Sequence, residues 1–293
     1  MEPRRVMDIV WLGDPLCGDP WLVGGKASSL SRLAASQRIP PGFCVTAAAH
    51  ARRIANQTDT LPHELYQMVG AAYHSLASRC GAASPSVAVR SSAPDEDGRT
   101  ASFAGQYRTF LNVAGVDSVA KAIAECWAAV GSERLQVYRD RQGGGTPDGI
   151  IAVLVQQLVA ADQSAVAFSA NPVTRRRDEV LINCNLGLGE SIVSGTANPD
   201  TYAVRKSDWA ITTRRVGDKS NMVVPGTTGT RAVPVPRSMR NRPAMSDTQV
   251  VRVAQLAESL EKATGWPVDI ECCYTGGDLF LLQCRPITTI SGA

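Results

Sequence analysis

Two short segments near the C-terminus, residues 268–274 and 279–285, constrain the fold of this chain more than any other feature. Both are rich in aliphatic, aromatic and cysteine residues, and Gly276-Gly277 stands between them. Short apolar segments on either side of a glycine-rich turn are typical of a β-hairpin. We therefore predict two antiparallel strands here, with side chains that alternate between the two faces of a sheet.

Polar side chains occupy alternate positions on both predicted strands. The faces that carry them consist of Asp269, Glu271 and Cys273 on the first strand, and of Leu279, Leu281, Gln283 and Arg285 on the second. A two-residue turn would set Glu271 opposite Leu282, whereas the three-residue loop Gly276-Gly277-Asp278 would set it opposite Gln283. We predict the three-residue loop, because it brings the polar groups onto one surface.

The predicted register also sets Asp269 opposite Arg285, so two carboxylates, an amide and a guanidinium share this surface. Carboxylate and amide oxygens suit Mg²⁺, and arginine suits a phosphate group. Taken alone, the hairpin is better explained by a surface salt bridge on a solvated sheet face. The functional interpretation therefore needs support from other segments.

Predicted helices and strands are mixed along the rest of the chain. The expected helices cover residues 24–35, 116–139 and 247–264, and the expected strands cover residues 87–90, 150–159, 164–169 and 180–184. The helix at 247–264 is the best defined, because Ser246 or Asp247 can cap its start and Gly265 with Pro267 ends it.

Composition excludes several classes of protein. With 293 residues the chain forms one large domain or two lobes, and a net charge of +3 gives no support for a nucleic-acid partner. No segment approaches the roughly 18 apolar residues of a membrane helix, and the N-terminal segment is too broken for a signal peptide. We expect a cytoplasmic protein. Its eight cysteines form no C-x-x-C pair, so we expect buried, reduced thiols.

Residues 205–242 differ in charge from the rest of the chain. They contain nine lysines or arginines against two aspartates, together with several prolines. We expect strand edges and a long, mobile loop in this region. Its basic residues form either a solvated surface or a basic rim over an anionic ligand.

Four other segments have features of phosphate-binding loops, and simpler explanations are open as well. Gly24-Gly25-Lys26 lets the backbone and a lysine approach a phosphate, or it is a plain turn. Arg90 follows a predicted buried strand, and the small residues of 101–106 fold over a triphosphate or form a turn without a ligand. Gly187-Leu188-Gly189 lacks the third glycine of a dinucleotide-binding loop, so a turn that packs a helix against the sheet fits it better.

In their order and spacing, these segments resemble the nucleotide-binding domain of phosphoenolpyruvate synthase, pyruvate phosphate dikinase and rifampin phosphotransferase. The resemblance covers nearly the whole chain, and the motifs that carry it are Val23-Gly24-Gly25-Lys26-Ala27, Ala88-Val89-Arg90-Ser91-Ser92-Ala93, Ala101-Ser102-Phe103-Ala104-Gly105-Gln106, Phe168-Ser169-Ala170-Asn171-Pro172-Val173-Thr174, Gly187-Leu188-Gly189-Glu190, Asn198-Pro199-Asp200, Asp269-Ile270-Glu271 and Leu282-Gln283-Cys284-Arg285-Pro286. Each motif is weak alone, but the ordered set is specific. The chain departs from the family pattern at Cys272, where a tryptophan is usual, and at residues 175–177, where a glycine is common.

The resemblance implies an α+β ATP-grasp fold, in which two lobes with mixed or antiparallel sheets hold ATP between them. We place the N-terminal lobe at residues 1–150 and the C-terminal lobe at residues 151–293. ATP and Mg²⁺ are the implied cofactors. The implied Mg²⁺ ligands are Glu271 and Gln283.

The resemblance also implies roles for single residues. Those expected at the phosphates are Lys26, Arg90, Gly105 and Thr109, and those expected along the adenine slot, mainly through the backbone, are Gln156, Gln157 and Val159. The expected catalytic residues are Lys26, Arg90 and Arg285, with Arg285 at the γ-phosphate. Asp269 and Lys219 are weaker candidates for the same site.

Members of this group use ATP to phosphorylate a histidine on a separate swivelling domain, which passes the phosphoryl group to a small molecule. Mg²⁺ and arginine offset the charge that develops during transfer. The three histidines of this chain, His50, His63 and His74, lie in no segment that looks like a phosphohistidine site. We therefore expect an excised domain, or a component that works with a histidine-bearing partner in trans on an unknown acceptor.

Two other functions stay open. The first is a nucleotide-binding regulatory or scaffold protein that keeps the fold without turnover, and the lack of a recognisable acceptor domain in this sequence keeps it open. The second is ligation of a carboxylate to an amine, which the motif set disfavours because it matches the dikinase group. Retention of all the implied ligands favours the phosphotransferase.

Overall fold

The computed structural model describes residues 7–56, 60–94, 108–130 and 149–290. The chain divides into two compact units, Met1–Leu158 and Val159–Ala293. Each contains an antiparallel sheet with helices packed on it, so the predicted α+β class is confirmed. That the units act as two lobes holding a nucleotide stays a prediction. Within the described ranges, we find no helix with the length and apolar character needed to span a membrane.

The N-terminal unit is built on a five-stranded sheet of order β1-β2-β5-β3-β4. In chain order its elements are β1 Ile9–Trp11, a 3₁₀ turn Pro15–Gly18, α1 Pro20–Leu33, β2 Gly42–Val45, α2 Ala47–Ala55, α3 His63–Cys80, β3 Val87–Ser92, β4 Thr109–Val113, α4 Val116–Val130 and β5 Ala152–Gln157. Neighbouring strands pair antiparallel throughout.

Apolar side chains at alternate positions of β3 and β5 form the core of this unit. Val87 and Val89 of β3 and Val153 and Val155 of β5 are fully buried in one cluster with α3 and α4, which also contains Trp127. Burial of each such aliphatic side chain contributes about 1.5–3 kcal/mol. The residues between them therefore lie on the opposite face, the face that α1 contacts.

Two predicted helices of this unit lie near their expected positions. Pro20–Leu33 consists of two helical segments separated at Gly24, whose φ of 77° and ψ of 166° are not helical, so the helix expected from residue 24 is the second segment. The first segment begins at Pro20, where the Asp19 side chain accepts a hydrogen bond from Trp21 N and caps the helix. The helix expected over 116–139 is α4, which is described to Val130, and the rest of that prediction lies outside the described residues.

The C-terminal unit is built on a six-stranded antiparallel sheet of order β13-β12-β6-β7-β8-β9. In chain order its elements are β6 Gln163–Phe168, β7 Glu179–Leu186, α5 Glu190–Val193, β8 Asp200–Arg205, β9 Ile211–Arg215, β10 Asn221–Pro225, β11 Thr230–Pro234, α6 Arg237–Arg240, α7 Asp247–Thr264, β12 Val268–Thr275, β13 Asp278–Pro286 and a 3₁₀ turn Thr288–Ile290. Strands β10 and β11 form a separate hairpin.

Helix α7 covers one face of the six-stranded sheet and has the predicted bounds. Ser246 and Gln249 form a capping box at its start, and Gly265 ends it with φ of 80°. Its apolar stripe of Val250, Val253 and Leu260 is fully buried. The other face of the sheet is not covered by this helix, and in the rest of the text we call it the polar face.

The β12–β13 hairpin has the predicted pairing but not the predicted loop. The turn contains only Gly276 and Gly277, with φ of 57° and 87°, because Thr275 pairs directly with Asp278. These left-handed values are those of a two-residue hairpin turn, which glycine adopts without strain. The prediction of a three-residue loop is therefore wrong.

A β-bulge restores the predicted pairing. Cys272 pairs with Leu281 while Glu271 pairs with Gln283, so Leu282 is the extra residue on β13. Since directly paired residues point to the same face, Leu281 lies on the α7 face with Cys272, and both are buried. The expectation that Leu279 and Leu281 share a face with the polar residues is thus wrong, because the bulge reverses the alternation.

The basic segment 205–242 is more regular than predicted. It contains the end of β8, the strands β9, β10 and β11, and helix α6, where we expected strand edges and a long loop. Glycine allows β10 to approach the sheet, because a Cβ atom on Gly187 would lie 2.3 Å from the carbonyl oxygen of Val223. Propensity alone missed these short strands because they are stabilised by this nonlocal packing.

Candidate functional site

In the N-terminal unit, the glycine turn of α1 lies against the end of β3. Gly24 has φ of 77°, and a Cβ atom there would lie 2.0 Å from the Ser92 carbonyl oxygen. Gly25 N donates to Ala93 O at 2.8 Å, and Lys26 Nζ donates to Ser91 O at 3.2 Å. Two motifs that are 65 residues apart in sequence therefore meet, and Lys26 is held with only 5% of its surface exposed.

Arg90 lies on the sheet face opposite the buried core, because it alternates with Val89 along β3. It pairs directly with Thr109 of β4, so these two predicted phosphate-contacting residues are cross-strand neighbours. Gly105 and the small-residue segment around it lie outside the described residues. The N-terminal unit thus presents Lys26, Arg90 and Thr109 on neighbouring elements.

The segment expected along the adenine slot is the end of β5. The Gln156 side chain is 2% exposed and donates to Pro40 O at 3.0 Å, so this side chain stabilises the fold. Gln157 N donates to Pro41 O at 2.9 Å, while the Gln157 side chain is half-buried. Val159 is 9% exposed and begins the C-terminal unit.

In the C-terminal unit, the hairpin brings the four predicted polar residues onto the polar face. Asp269 pairs with Arg285, and Glu271 with Gln283. The Arg285 Nε and an Nη atom both contact Asp269 Oδ2, at 2.8 and 2.7 Å. The surface salt bridge that the sequence suggested is therefore present, and it orients the guanidinium beside the Glu271–Gln283 pair.

The Glu271–Gln283 pair has the chemistry of a magnesium site. Gln283 is 6% exposed and Glu271 is half-buried, so a carboxylate and an amide are carried by directly paired residues that are largely shielded from water. Mg²⁺ is commonly held by one or two protein oxygens, with phosphates and waters completing an octahedron. The donor set present fits this ion.

The adjacent thiols are not nucleophiles. Cys273 shares the polar face with Glu271, and burial raises the pKa of its thiol to about 12. Burial also raises the pKa of Cys272, on the α7 face. Both therefore stay protonated near neutral pH, and a thiol is inert in that form.

Three further polar residues, which the sequence analysis missed, lie on the polar face in line with the hairpin. Cross-strand pairing continues from Glu271 through Val166 to Asn183, Thr201 and Arg215. Thr201 Oγ1 donates to Asn183 Oδ1 at 3.0 Å. We call Gln283, Glu271, Val166, Asn183, Thr201 and Arg215 the polar row. One sequence signal was available, because Asn183 and Asn185 alternate inside an otherwise apolar strand.

Lys219 is not part of this row. It is fully buried, and its Nζ lies 2.5 Å from Asp200 Oδ1 and 3.1 Å from Gly217 O. Asp200 pairs with Cys184 on β7, which places it on the face that α7 covers rather than on the polar face. Asp200 also accepts from the backbone N–H groups of Gly217 and Ala244. The ion pair therefore anchors the basic segment to β8.

Comparisons with known proteins agree with the resemblance found in the sequence. The family model described as the pyruvate phosphate dikinase AMP/ATP-binding domain matches residues 55–293. A probable phosphoenolpyruvate synthase from Methanocaldococcus jannaschii is 35% identical, and the alignment covers 96% of this chain and 27% of that protein. A rifampicin phosphotransferase from Streptomyces sviceus is 36% identical, with coverages of 92% and 34%.

The chain spans less than half the length of these two relatives. Among solved structures, a D-alanine–D-alanine ligase from Bacillus anthracis aligns with a TM-score of 0.36 and 8% identity, over 96% of this chain and 60% of that one. This structural similarity is too distant to support any conclusion about the fold or function of the chain.

Proposed function

The chain belongs to the pyruvate phosphate dikinase AMP/ATP-binding domain family, and on that premise we propose that it binds Mg²⁺-ATP and transfers a phosphoryl group to a histidine. The histidine belongs to a separate swivelling domain or protein, which passes the group to a small-molecule acceptor. The relatives named as phosphoenolpyruvate synthase and rifampicin phosphotransferase support this class of reaction. The single observation that carries the proposal is the pairing of Glu271 with Gln283 beside Arg285.

Mg²⁺, when bound by Glu271 and Gln283, supplies the charge that neutralises the phosphate oxygens. Arg285 presents its guanidinium to the γ-phosphate, and Asp269 holds that guanidinium in place. The planar guanidinium of arginine can donate two hydrogen bonds to a phosphoryl group at once, which the ammonium group of lysine does less well. Phosphoryl transfer depends mainly on such positioning and charge stabilisation, so no protein base is required.

Residues of the N-terminal unit complete the binding of the nucleotide in this proposal. Lys26 and Arg90 contact phosphates, with Thr109 next to Arg90 and Gly105 in the covering segment. Backbone groups of Gln156, Gln157 and Val159 contact the adenine. The buried position of Lys26 supports its role, because a lysine held out of water keeps a fixed location for its charge.

The partner in the proposal carries the phosphorylatable histidine, either in trans or in the same polypeptide. The proposed setting is the cytoplasm, where ATP is available. Nucleic acid and membranes have no role in the reaction.

Calorimetric titration of the chain with ATP, with and without Mg²⁺, tests the proposal. We expect micromolar binding that requires Mg²⁺ and is lost in Glu271→Ala. The matched control is Asp278→Ala, which removes an exposed carboxylate at the turn of the same hairpin. Unchanged nucleotide affinity in Glu271→Ala would remove this pair from the site, and failure of the unaltered chain to bind ATP would contradict the proposed function.

A further inference from the structure

Strand β9 ends the six-stranded sheet of the C-terminal unit with an open edge. It pairs antiparallel with β8 along one side, from Val204 and Ile211 to Thr201 and Arg215. In the part of the chain that the structure describes, no other group hydrogen-bonds to the backbone of β9 between these two positions. Alternate residues of an edge strand direct their N–H and C=O groups outwards, so β9 offers unused backbone donors and acceptors.

The sequence of β9 is compatible with the addition of a further strand. It reads Ile-Thr-Thr-Arg-Arg, without proline or glycine, and Thr212 to Arg215 are exposed. Isoleucine and threonine favour extended backbone, and proline would remove a backbone donor. By contrast, the edge strand β1 of the N-terminal unit has three residues, a length that limits pairing. The outer edge of β9 can therefore accept an extended segment.

Side chains around this edge carry an excess of positive charge. Arg214 is neutralised by Asp247, at the start of α7. Arg215 is exposed, and within the described ranges no carboxylate pairs with it. Between Asp208 and Asp247 the chain contains a single acidic residue, Asp218. The edge is therefore attractive to a negatively charged partner.

The turn at α6 extends the basic surface beyond the end of β9. Lys219, four residues after the strand, donates its backbone N–H to Arg240 O at 3.1 Å. Arg237 and Arg242 of the same turn are exposed, and neither has a carboxylate partner among the residues that the structure describes. Met239 lies between them and is 44% exposed. Arginine and methionine are both enriched in protein–protein interfaces, so this composition favours a protein partner.

The backbone that carries these arginines is held in place. Lys219 forms the buried ion pair with Asp200, and Asp200 also accepts from Ala244 N at 2.6 Å. Both ends of the segment that contains α6 are therefore fixed to the start of β8. Within the turn, Arg240 Nε donates to Val235 O at 2.9 Å. A partner thus meets an ordered surface, which lowers the entropic cost of binding.

Charge and backbone geometry together decide which partner fits this edge. Pairing of β9 with β9 of a second copy would bring the arginines of both strands together, and like charges on neighbouring strands are unfavourable. Arginines on an edge strand therefore prevent self-association and leave the edge to a strand of opposite charge. A nucleic acid has the required charge but lacks the backbone N–H and C=O groups of a β-strand. An extended acidic protein segment has both.

We propose that the outer edge of β9 and the α6 turn bind an extended, acidic segment of a partner protein, which adds to the six-stranded sheet as a further strand. Main-chain hydrogen bonds to β9 provide affinity, and Arg215, Arg237 and Arg242 select acidic side chains. This interaction goes beyond the proposed function, because it requires neither nucleotide nor metal.

The test titrates the whole chain, without nucleotide, with three fluorescent probes at low ionic strength. The first is a synthetic peptide in which glutamate alternates with valine. The second has the same sequence and charge, but every backbone amide is N-methylated, so it cannot donate main-chain hydrogen bonds. The third is a single-stranded DNA oligonucleotide of equal charge. Fluorescence anisotropy measures each affinity, and amide hydrogen exchange of β9 reports where the peptide binds.

We expect the first peptide to bind at least about tenfold more tightly than the other two probes and to slow exchange at alternate amides of β9. Arg215→Glu should weaken its binding about tenfold, because a favourable charge becomes a repulsive one. Arg237→Glu/Arg242→Glu, which lies outside the strand, should weaken it too and so separates charge from damage to β9. The matched control is Lys121→Glu, an equal change of charge at an exposed position of α4, and it should leave peptide affinity unchanged.

Absence of peptide binding, or equal binding of the N-methylated peptide, would overturn the proposal. Equal losses in Arg215→Glu and Lys121→Glu would also overturn it, because the effect would then be one of general charge. DNA binding as tight as that of the peptide would show a surface for polyanions of any kind. A dimer in analytical ultracentrifugation, with the β9 amides protected before peptide is added, would assign the edge to a second copy instead.

Discussion

The two units assemble their candidate ligands in different ways. In the N-terminal unit, Lys26 and Arg90 come from segments 64 residues apart, and they are joined because Gly24 permits close contact with Ser92. In the C-terminal unit, Glu271, Gln283 and Arg285 come from one hairpin. A site whose residues come from distant segments depends on the packing of the whole unit. A site whose residues come from one hairpin depends only on how the two strands of that hairpin pair. The two halves of the proposed site should therefore respond differently to mutation.

The largest loss of stability should follow from breaking the buried ion pair of the C-terminal unit. Lys219→Met leaves the fully buried Asp200 without its cation, and removal of one partner from such a pair costs about 3–5 kcal/mol. Urea denaturation measures the change. Lys206→Met is the control, because the Lys206–Glu261 pair is partly exposed and should cost about 1 kcal/mol or less. Equal losses in the two variants would contradict a special role for the buried pair.

A glycine substitution tests the tertiary assembly of the N-terminal unit. Gly24→Ala should destabilise the chain by about 3 kcal/mol, because the new Cβ meets backbone atoms of Ser92 and the residue has a positive φ. Gly81→Ala also has a positive φ but meets open space, so it isolates the conformational cost of about 1 kcal/mol. If both variants unfold at the same urea concentration, close contact at Gly24 is not needed.

Acid should destabilise the N-terminal unit specifically. His50 stacks on Trp127 and accepts a hydrogen bond from Ile151 N, and burial lowers the pKa of its imidazole from 6.5 to about 4. Neutral His50 therefore makes its full contribution to the free energy of unfolding above pH 6.5. That contribution, about 3 kcal/mol in total, is lost as the pH falls towards 4.

Denaturation of the unaltered chain and of His50→Gln between pH 7.5 and 4.5 isolates this contribution. The stability difference between them should shrink as the pH falls. All three histidines lie in the N-terminal unit, so the C-terminal unit provides an internal reference. A difference that does not vary with pH would mean that His50 does not titrate in this range.

The smallest effect on stability is expected at the hairpin itself. Arg285→Lys keeps the charge next to Asp269 and should change the free energy of unfolding by less than about 1 kcal/mol, because the pair is partly exposed. Phosphoryl transfer to a histidine-bearing partner should nevertheless fall well beyond any change in ATP affinity, since the planar fork is lost. Equal transfer rates would make Arg285 a structural residue.

Local features of the fold were predictable from the sequence. The bounds of α7 follow from Ser246, Gln249 and Gly265, which act within one turn of the helix ends. The pairing of Glu271 with Gln283 was also predicted, although for the wrong reason. We assigned the register to a longer loop, whereas the structure has a two-residue turn and a bulge at Leu282.

Nonlocal features were not predictable in the same way. Arg215 joins the polar row only because β9 pairs with β8, and nothing within β9 indicates that register. Likewise, Lys219 seemed to belong near the ligands until its pairing with Asp200, 19 residues earlier, became visible. The proposed roles of the site residues remain predictions, because a sequence motif and a fold place side chains but do not show what they bind.

The bulge at Leu282 has a consequence for how this strand tolerates change. Before the bulge β13 supplies leucines to the core, and after it the same strand supplies Gln283 and Arg285 to the opposite surface. Because Leu282 is the extra residue, its deletion would leave a regular ladder in which Gln283 still pairs with Glu271 and Arg285 with Asp269. Deletion of Gln283 instead would place Leu282 opposite Glu271 and remove the proposed metal pair. The strand is thus one residue longer than its pairing requires, and the position at which a residue is lost decides whether the pair survives.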